Sequence, residues 1–146
     1  MPTVLVAVDL SPRSAAVVES ASALAAHMGA RILLVHVVTP TPGPSVSVGD
    51  ITSQTITDRL RVLAEQELEV LAKAIAPNVA TERRVLTGYP WQTVCKLAES
   101  ESADLVVIGA HGYSQLDRML GTTAARVVNH VDRPVLVVRS AEVKTA

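Results

Sequence analysis

Four short runs of almost unbroken Val, Leu and Ile constrain this chain more than any other feature: TVLVAV at 3–8, RILLVHVV at 31–38, DLVVIG at 104–109 and PVLVVR at 134–139. A half-exposed strand alternates apolar and polar residues, whereas a continuous apolar run needs cover on both faces. A fifth run, ATERRVL at 80–86, carries more charge. Between the runs, apolar residues recur with helical spacing. Val17, Ala21, Leu24 and Met28 predict one helix with Gly29 as its stop, and Leu60, Leu63, Leu68, Leu71 and Ile75 predict a second that ends near Pro77. PWQTVCKLAESES is a shorter third, and Ala124, Val127, Val128 and Val131 give a fourth. The order βαβαβαβαβ implies right-handed crossovers and an α/β fold, an open doubly wound parallel sheet of five strands with helices on both faces.

Composition agrees. With no Phe, one Trp and two Tyr among 146 residues, the core must be aliphatic. Neither a repeat nor an interdomain linker is visible, so 1–146 is read as a single domain. The one irregular stretch, TPTPGPSVSVGDITS at 39–53, reads as a functional lid or a disordered loop. A formal net charge of −1 gives no long-range attraction to nucleic acid or an anionic membrane. No apolar stretch approaches the length of a membrane helix. The start lacks a basic n-region, and Cys95 is the only cysteine, so the expectation is a cytoplasmic protein without disulfides.

Ligands of doubly wound sheets bind outside the carboxyl ends of the strands, near the switch point. That rule selects AVDLS, HVVTP, TGYPW and the segment GAHGYSQLDRMLGTT at 109–123. Its glycines, Gly109, Gly112 and Gly121, permit positive φ and close approach to an anion, and Gly121-Thr122-Thr123 suits a helix N-terminus whose free N–H groups meet phosphate. The same residues equally describe a strand terminator, a turn and an ordinary N-cap. They form neither a G-x-x-x-x-G-K-[ST] loop nor a G-x-G-x-x-G fingerprint.

VLVAVDLSPRS near the start, RILLVHVV, GYP after the third strand and DLVVIGAHG...LGTTAARVVNHVDRPVLVV together resemble the universal stress protein family over essentially the whole chain. Many members that bind ATP carry G-x2-G-x9-G-[ST]; here eight residues, Tyr113 to Leu120, separate Gly112 from Gly121-Thr122. Some nucleotide-binding members share that shortening. The resemblance implies an adenine-nucleotide alpha-hydrolase-like fold with strand order 3-2-1-4-5. It also implies an ATP-binding regulatory stress-response module, or a dimerising module without nucleotide. Carried over, it sets Ala7 and Asp9 beside adenine and ribose, and gives Val37 backbone contacts to adenine. It sets Gly109, Ala110, His111, Gly112, Tyr113 and Ser114, with Gly121, Thr122, Thr123 and Ala124, around ribose and phosphates. Asp9 is the candidate Mg²⁺ ligand, since one carboxylate plus phosphates is a usual arrangement for that ion. Its structural alternative is a cap for a helix from Pro12, for which Ser11 is better placed.

Hydrolysis requires a positioned water, charge stabilisation and usually a base. One carboxylate and no lysine near the glycines argue for slow turnover at most. Arg118 has three readings: a phosphate contact, a partner for Asp117, or a contact to another chain. A phosphoacceptor response regulator would end its third strand with aspartate and its fifth near lysine, where this chain has VLTGYP and VLVVRS. His36 reads as a satisfied core histidine, while His27 and His130 are placed to meet the last carbonyls of their helices. Cys95 reads as a buried inert thiol, and Tyr89, Trp91 and Tyr113 read as packing against the loop, with stacking on a base as the alternative. The fifth strand, taken as a bare apolar edge, predicts a homodimer through Val135, Leu136, Val137 and Val138.

Overall fold

The computed structural model describes residues 1–40, 53–111 and 119–139. Its elements follow the apolar pattern: β1 (Thr3–Ala7), α1 (Ser14–Met28), β2 (Arg31–Val38), α2 (Ser53–Ala72), β3 (Thr81–Thr87), α3 (Pro90–Ser100), β4 (Leu105–Gly109), α4 (Thr122–His130) and β5 (Val135–Val138). Every strand pair is parallel. The sheet order is β3-β2-β1-β4-β5, as expected, so the chain winds outward in both directions from β1. The stretch read as lid or loop lies outside the described residues over 41–52. No helix among the described residues is long and apolar enough to cross a membrane.

Alternation along the strands builds two cores from each apolar run. Val4, Val6, Ile32, Leu34 and Val107 face α1 and α2, meeting Val17, Val18, Ala21, Ala64 and Leu68. Leu5, Leu33, Val35, Val106 and Ile108 face α3 and α4, meeting Val94, Leu97, Ala98, Ala124 and Val127. Covering both faces is what the unbroken Val/Leu/Ile runs required.

Gly29 ends α1 in the left-handed conformation at φ 64°, its N–H turned back to the carbonyls of Ala25 and Ala26. Met28, expected on the apolar stripe, is exposed. The expected α2 stripe needs a larger correction. Leu68 and Ile75 are buried, but Leu60 and Leu63 are 43% and 54% exposed. Ala64, Leu68 and Leu71 form the inward line; Leu63 falls roughly a quarter turn round the helix from it and Leu60 roughly an eighth, at its margin. Helix α2 stops at Ala72, and tight turn bonds from Lys73, Ala74 and Ile75 lead on toward Pro77.

Both edges carry charge or open apolar surface. On β3, Arg84 pairs with Glu82 and, at 2.6 Å, with Glu101 beyond α3, which also meets Arg31 of β2 at 3.4 Å. The Arg84 hydrogen bond holds the Glu101 carboxyl below the ordinary glutamate value, and the same bond raises Arg84. At the other edge, Val135 and Val137 pack toward α4. Leu136 points to the opposite face and stays 36% exposed.

Candidate functional site

DLSPRS builds the turn that leaves β1. Leu10 takes a positive φ of 63°, which turns the chain so that Asp9 Oδ1 accepts from the Ser11 N–H (2.9 Å) and from Ser14 Oγ (3.3 Å). Ser11 Oγ accepts from the Arg13 N–H at 3.3 Å. The helix therefore starts two residues later than expected from Pro12. Arg13 stands at the N-cap with no side-chain cap bond, so Ser11 braces the approach rather than capping the helix.

The β4 end is shaped by close backbone approach. The Gly121 N–H donates to Ala110 O at 2.7 Å, and the Ala110 N–H donates to Val138 O at 3.0 Å. A Cβ on Gly121 would stand 3.2 Å from Ala110 O, and one on Gly109 would stand 3.2 Å from Val17 Cγ2. The positive φ expected of these glycines is absent at Gly109 and Gly121; lack of side-chain bulk is what each position uses. Gly121 is the extended N-cap of α4, and no threonine side chain caps the helix, contrary to the ordinary-cap reading. The N–H groups of the first turn of α4 lack intrahelical acceptors by geometry.

These segments enclose a cavity of about 470 Å³ at the carboxyl ends of β1, β2 and β4, within the range of small-molecule sites. Ala7, Asp9, Val37, Gly109, Ala110, His111, Gly121, Thr122, Thr123 and Ala124 all line it. Gly112, Tyr113, Ser114, Asp117 and Arg118 lie outside the described residues. Sequence reasoning missed Arg13, Ser14 and Val94 in this wall, while His36 and Pro90 fell within the selected strand-end segments HVVTP and TGYPW without being named as site residues. The available signal for Arg13, Ser14 and Val94 was their position at or near the beginnings of helices that follow strand carboxyl ends. Three helices, α1, α3 and α4, open their N-termini toward the cavity through Ser14, Pro90 and Thr122, and each brings the positive end of its dipole. Val35, Val37, Val94 and Ile108 make one part of the wall apolar.

His36 is half-buried, and its Nδ1–H donates to Val8 O at 2.7 Å. A carbonyl only accepts, so the neutral ring keeps Nε2 as an acceptor. This histidine is satisfied, as expected, yet it also lines the cavity. Asp9 is the one carboxylate of the wall among the described residues. Its Oδ1 is engaged, and its Oδ2 has no partner among the described residues. No three metal-binding side chains cluster among the described residues, so a divalent cation here would take one oxygen from Asp9 and the rest from a ligand and water.

The remaining flagged residues lie apart. His130 donates from Nδ1 to Arg126 O at 2.7 Å, as a histidine in a last turn was expected to do. Trp91 packs on α4 rather than on a loop, its ring 4.5 Å from His130 and 5.7 Å from the Arg126 guanidinium. Tyr89, expected to pack, is 62% exposed. Cys95 is half-buried, short of the full burial expected. Burial and then the Asp132 charge push its thiol up, which keeps it protonated.

Residues 1–139 match the sequence profile of the universal stress protein family. The chain belongs to this family. Universal stress protein A homolog 1 of Coxiella burnetii is 33% identical over 138 residues, covering 92% of this chain and 94% of that one. The solved structure of UspA from Lactobacillus plantarum has a TM-score of 0.74 at 26% identity, covering 94% and 97% of the two chains. A universal stress protein solved in complex with cAMP has a TM-score of 0.68 at 25% identity, covering 94% and 96%.

Proposed function

We propose that this universal stress protein is an ATP-binding regulatory module, with at most slow hydrolysis, that works as a homodimer. What carries the reading is the cavity beneath three helix N-termini at the carboxyl ends of β1, β2 and β4. Adenine would lie against Val37, Val94 and Ile108, with backbone groups near Ala7 and Val37 meeting its edge. Ribose and phosphates would lie along Gly109–His111 and over Thr122–Ala124, whose N–H groups and hydroxyls suit anionic oxygens. Asp9 Oδ2 would supply one ligand to Mg²⁺ already held by phosphates. A relative of the same family solved with cAMP supports an adenine nucleotide as the class of ligand. Slow turnover follows from a wall whose only carboxylate, among the described residues, is braced by Ser11 and Ser14; hydrolysis needs a base and charge neutralisation together.

The dimer rests on the β5 edge, where Val135–Val138 bond to β4 and, among the described residues, to no strand on the other side, and where Leu136 remains open. Its pairing with a second copy would cover an apolar strand edge.

Mass spectrometry of small molecules released on denaturing the purified protein, with calorimetry against ATP and Mg²⁺, tests the ligand. Co-purified adenine nucleotide or saturable heat is expected. Neither would leave a dimerising module without nucleotide, the alternative favoured by the eight-residue gap between Gly112 and Gly121. Phosphate release at about ten turnovers per second, lost on Asp9→Ala, would make the protein an enzyme instead.

A further inference from the structure

The geometry points to Arg13 as the residue that sets phosphate-chain preference, gripping the distal phosphates of a bound nucleotide and favouring ATP over AMP and cyclic AMP. This rests on the nucleotide reading above. Arg13 is half-buried in the turn between β1 and α1, and it lines the cavity. Among the described residues its guanidinium makes no ion pair. The first turn of α1 contains no acid, and Asp9 directs Oδ1 to Ser11 and Ser14 rather than to Arg13. Nothing among the described residues neutralises this charge, which leaves it for a ligand.

Its place in the cavity follows from the helix. Arg13 is already in helical conformation (φ −85°, ψ −9°), and the Val17 N–H donates to Arg13 O at 3.4 Å. Residues four apart share a helix face. Val17 Cγ2 lies 3.2 Å from where a Cβ on Gly109 would stand, so Arg13 sits one turn beyond it, above the carboxyl end of β4. That is the Gly109–His111 and Gly121 side of the cavity, away from Val37 and Val94. Arg13 is also the one permanent cation of the wall among the described residues.

A planar guanidinium fork binds two phosphate oxygens at once. Beyond the first phosphate, only a polyphosphate offers further oxygens to it, and a cyclic diester brings far less negative charge than a triphosphate chain. The α4 N-terminus would serve every adenine nucleotide alike; Arg13 would distinguish among them. Its own backbone N–H is held by Ser11 Oγ, which steadies the base of the side chain without using the guanidinium.

Calorimetry on the full chain with ATP, AMP and cyclic AMP tests this. Arg13→Ala should weaken ATP by about ten- to a hundredfold and the two monophosphates by less than about threefold. Arg13→Lys, which keeps the charge without the fork, should recover part of the loss. Circular dichroism confirms that the variants fold, and no cap bond depends on the side chain. Equal weakening of all three ligands, or of none, would refute the role of Arg13. Wild-type protein that binds none of them would overturn the nucleotide reading itself, and this assignment with it.

Discussion

Replacing Gly88 with alanine should unsettle the turn that delivers α3 to the cavity. Gly88 lies between β3 and α3 at φ 157°, and its N–H donates to Val38 O at 3.0 Å. An added Cβ would stand 2.5 Å from Thr93 Oγ1, closer than nonbonded heavy atoms approach, so Thr93 or the turn must move. Two costs combine: a backbone conformation that L residues rarely adopt, about 1 kcal/mol or more, and overpacking, about 1–3 kcal/mol. A total of about 2–4 kcal/mol, at about 3 °C per kcal/mol for a chain this size, lowers Tm by about 6–12 °C. Thr93→Ala in the same background removes the clash but not the backbone cost. The double variant should therefore recover about half of the lost stability. Urea titrations and circular-dichroism melts of wild type, both single variants and the double variant give the cycle. Gly88→Ala within about 0.5 kcal/mol of wild type, or a double variant no more stable than Gly88→Ala, would refute the reasoning. Because Pro90 and Val94 line the cavity from α3, ATP affinity should fall together with stability and return with Thr93→Ala.

Asp9→Asn should weaken binding of Mg²⁺-ATP about tenfold while leaving the melting temperature nearly unchanged, since the amide oxygen still accepts from Ser11 and Ser14; an equal loss in EDTA would rule out a metal role. Leu136→Lys should shift sedimentation toward monomer without unfolding the chain, because Leu136 packs into neither core, and an unchanged assembly would sink the β5 interface. Glu101 sits below its unfolded pKa because of Arg84, so its contribution to stability is present above the ordinary glutamate range and is lost as pH falls through the lowered folded value. Glu101→Gln should flatten that part of the acid limb in urea titrations at stepped pH; an acid limb identical to that of wild type would contradict the Arg84–Glu101 assignment.

Particular elements show where the sequence was legible. Strands β1, β2, β4 and β5 were plain because a run such as VLVAV has only one comfortable setting, between two layers of helix. Gly29 marked its stop because it takes the left-handed conformation there. The strand-end rule of a doubly wound sheet picked out the segments that form the cavity, and the family resemblance named ten of the residues that line it. Helix α2 was harder to read. Leu60 and Leu63 satisfy helical spacing as well as Leu68 does, and periodicity does not say which of two adjacent apolar lines meets the sheet. Arg13 was missed for a related reason: a basic residue in a turn has no meaning until the turn is seen to face a cavity.

Local chemistry, read along the chain, determined the alternation of strand and helix, the aliphatic two-faced core and the side of the sheet where ligands bind. These follow from solvent exclusion and backbone sterics, which act between near neighbours. Tertiary structure decided what depends on distance in space. It set Val17 against Gly109, Gly121 against Ala110, and three helix N-termini around one cavity. It also removed positive φ as the reason for Gly109 and Gly121 and put close packing in its place. It left Arg13 beside that cavity with no ion-pair partner among the described residues, because charge pairing is fixed only when distant segments meet.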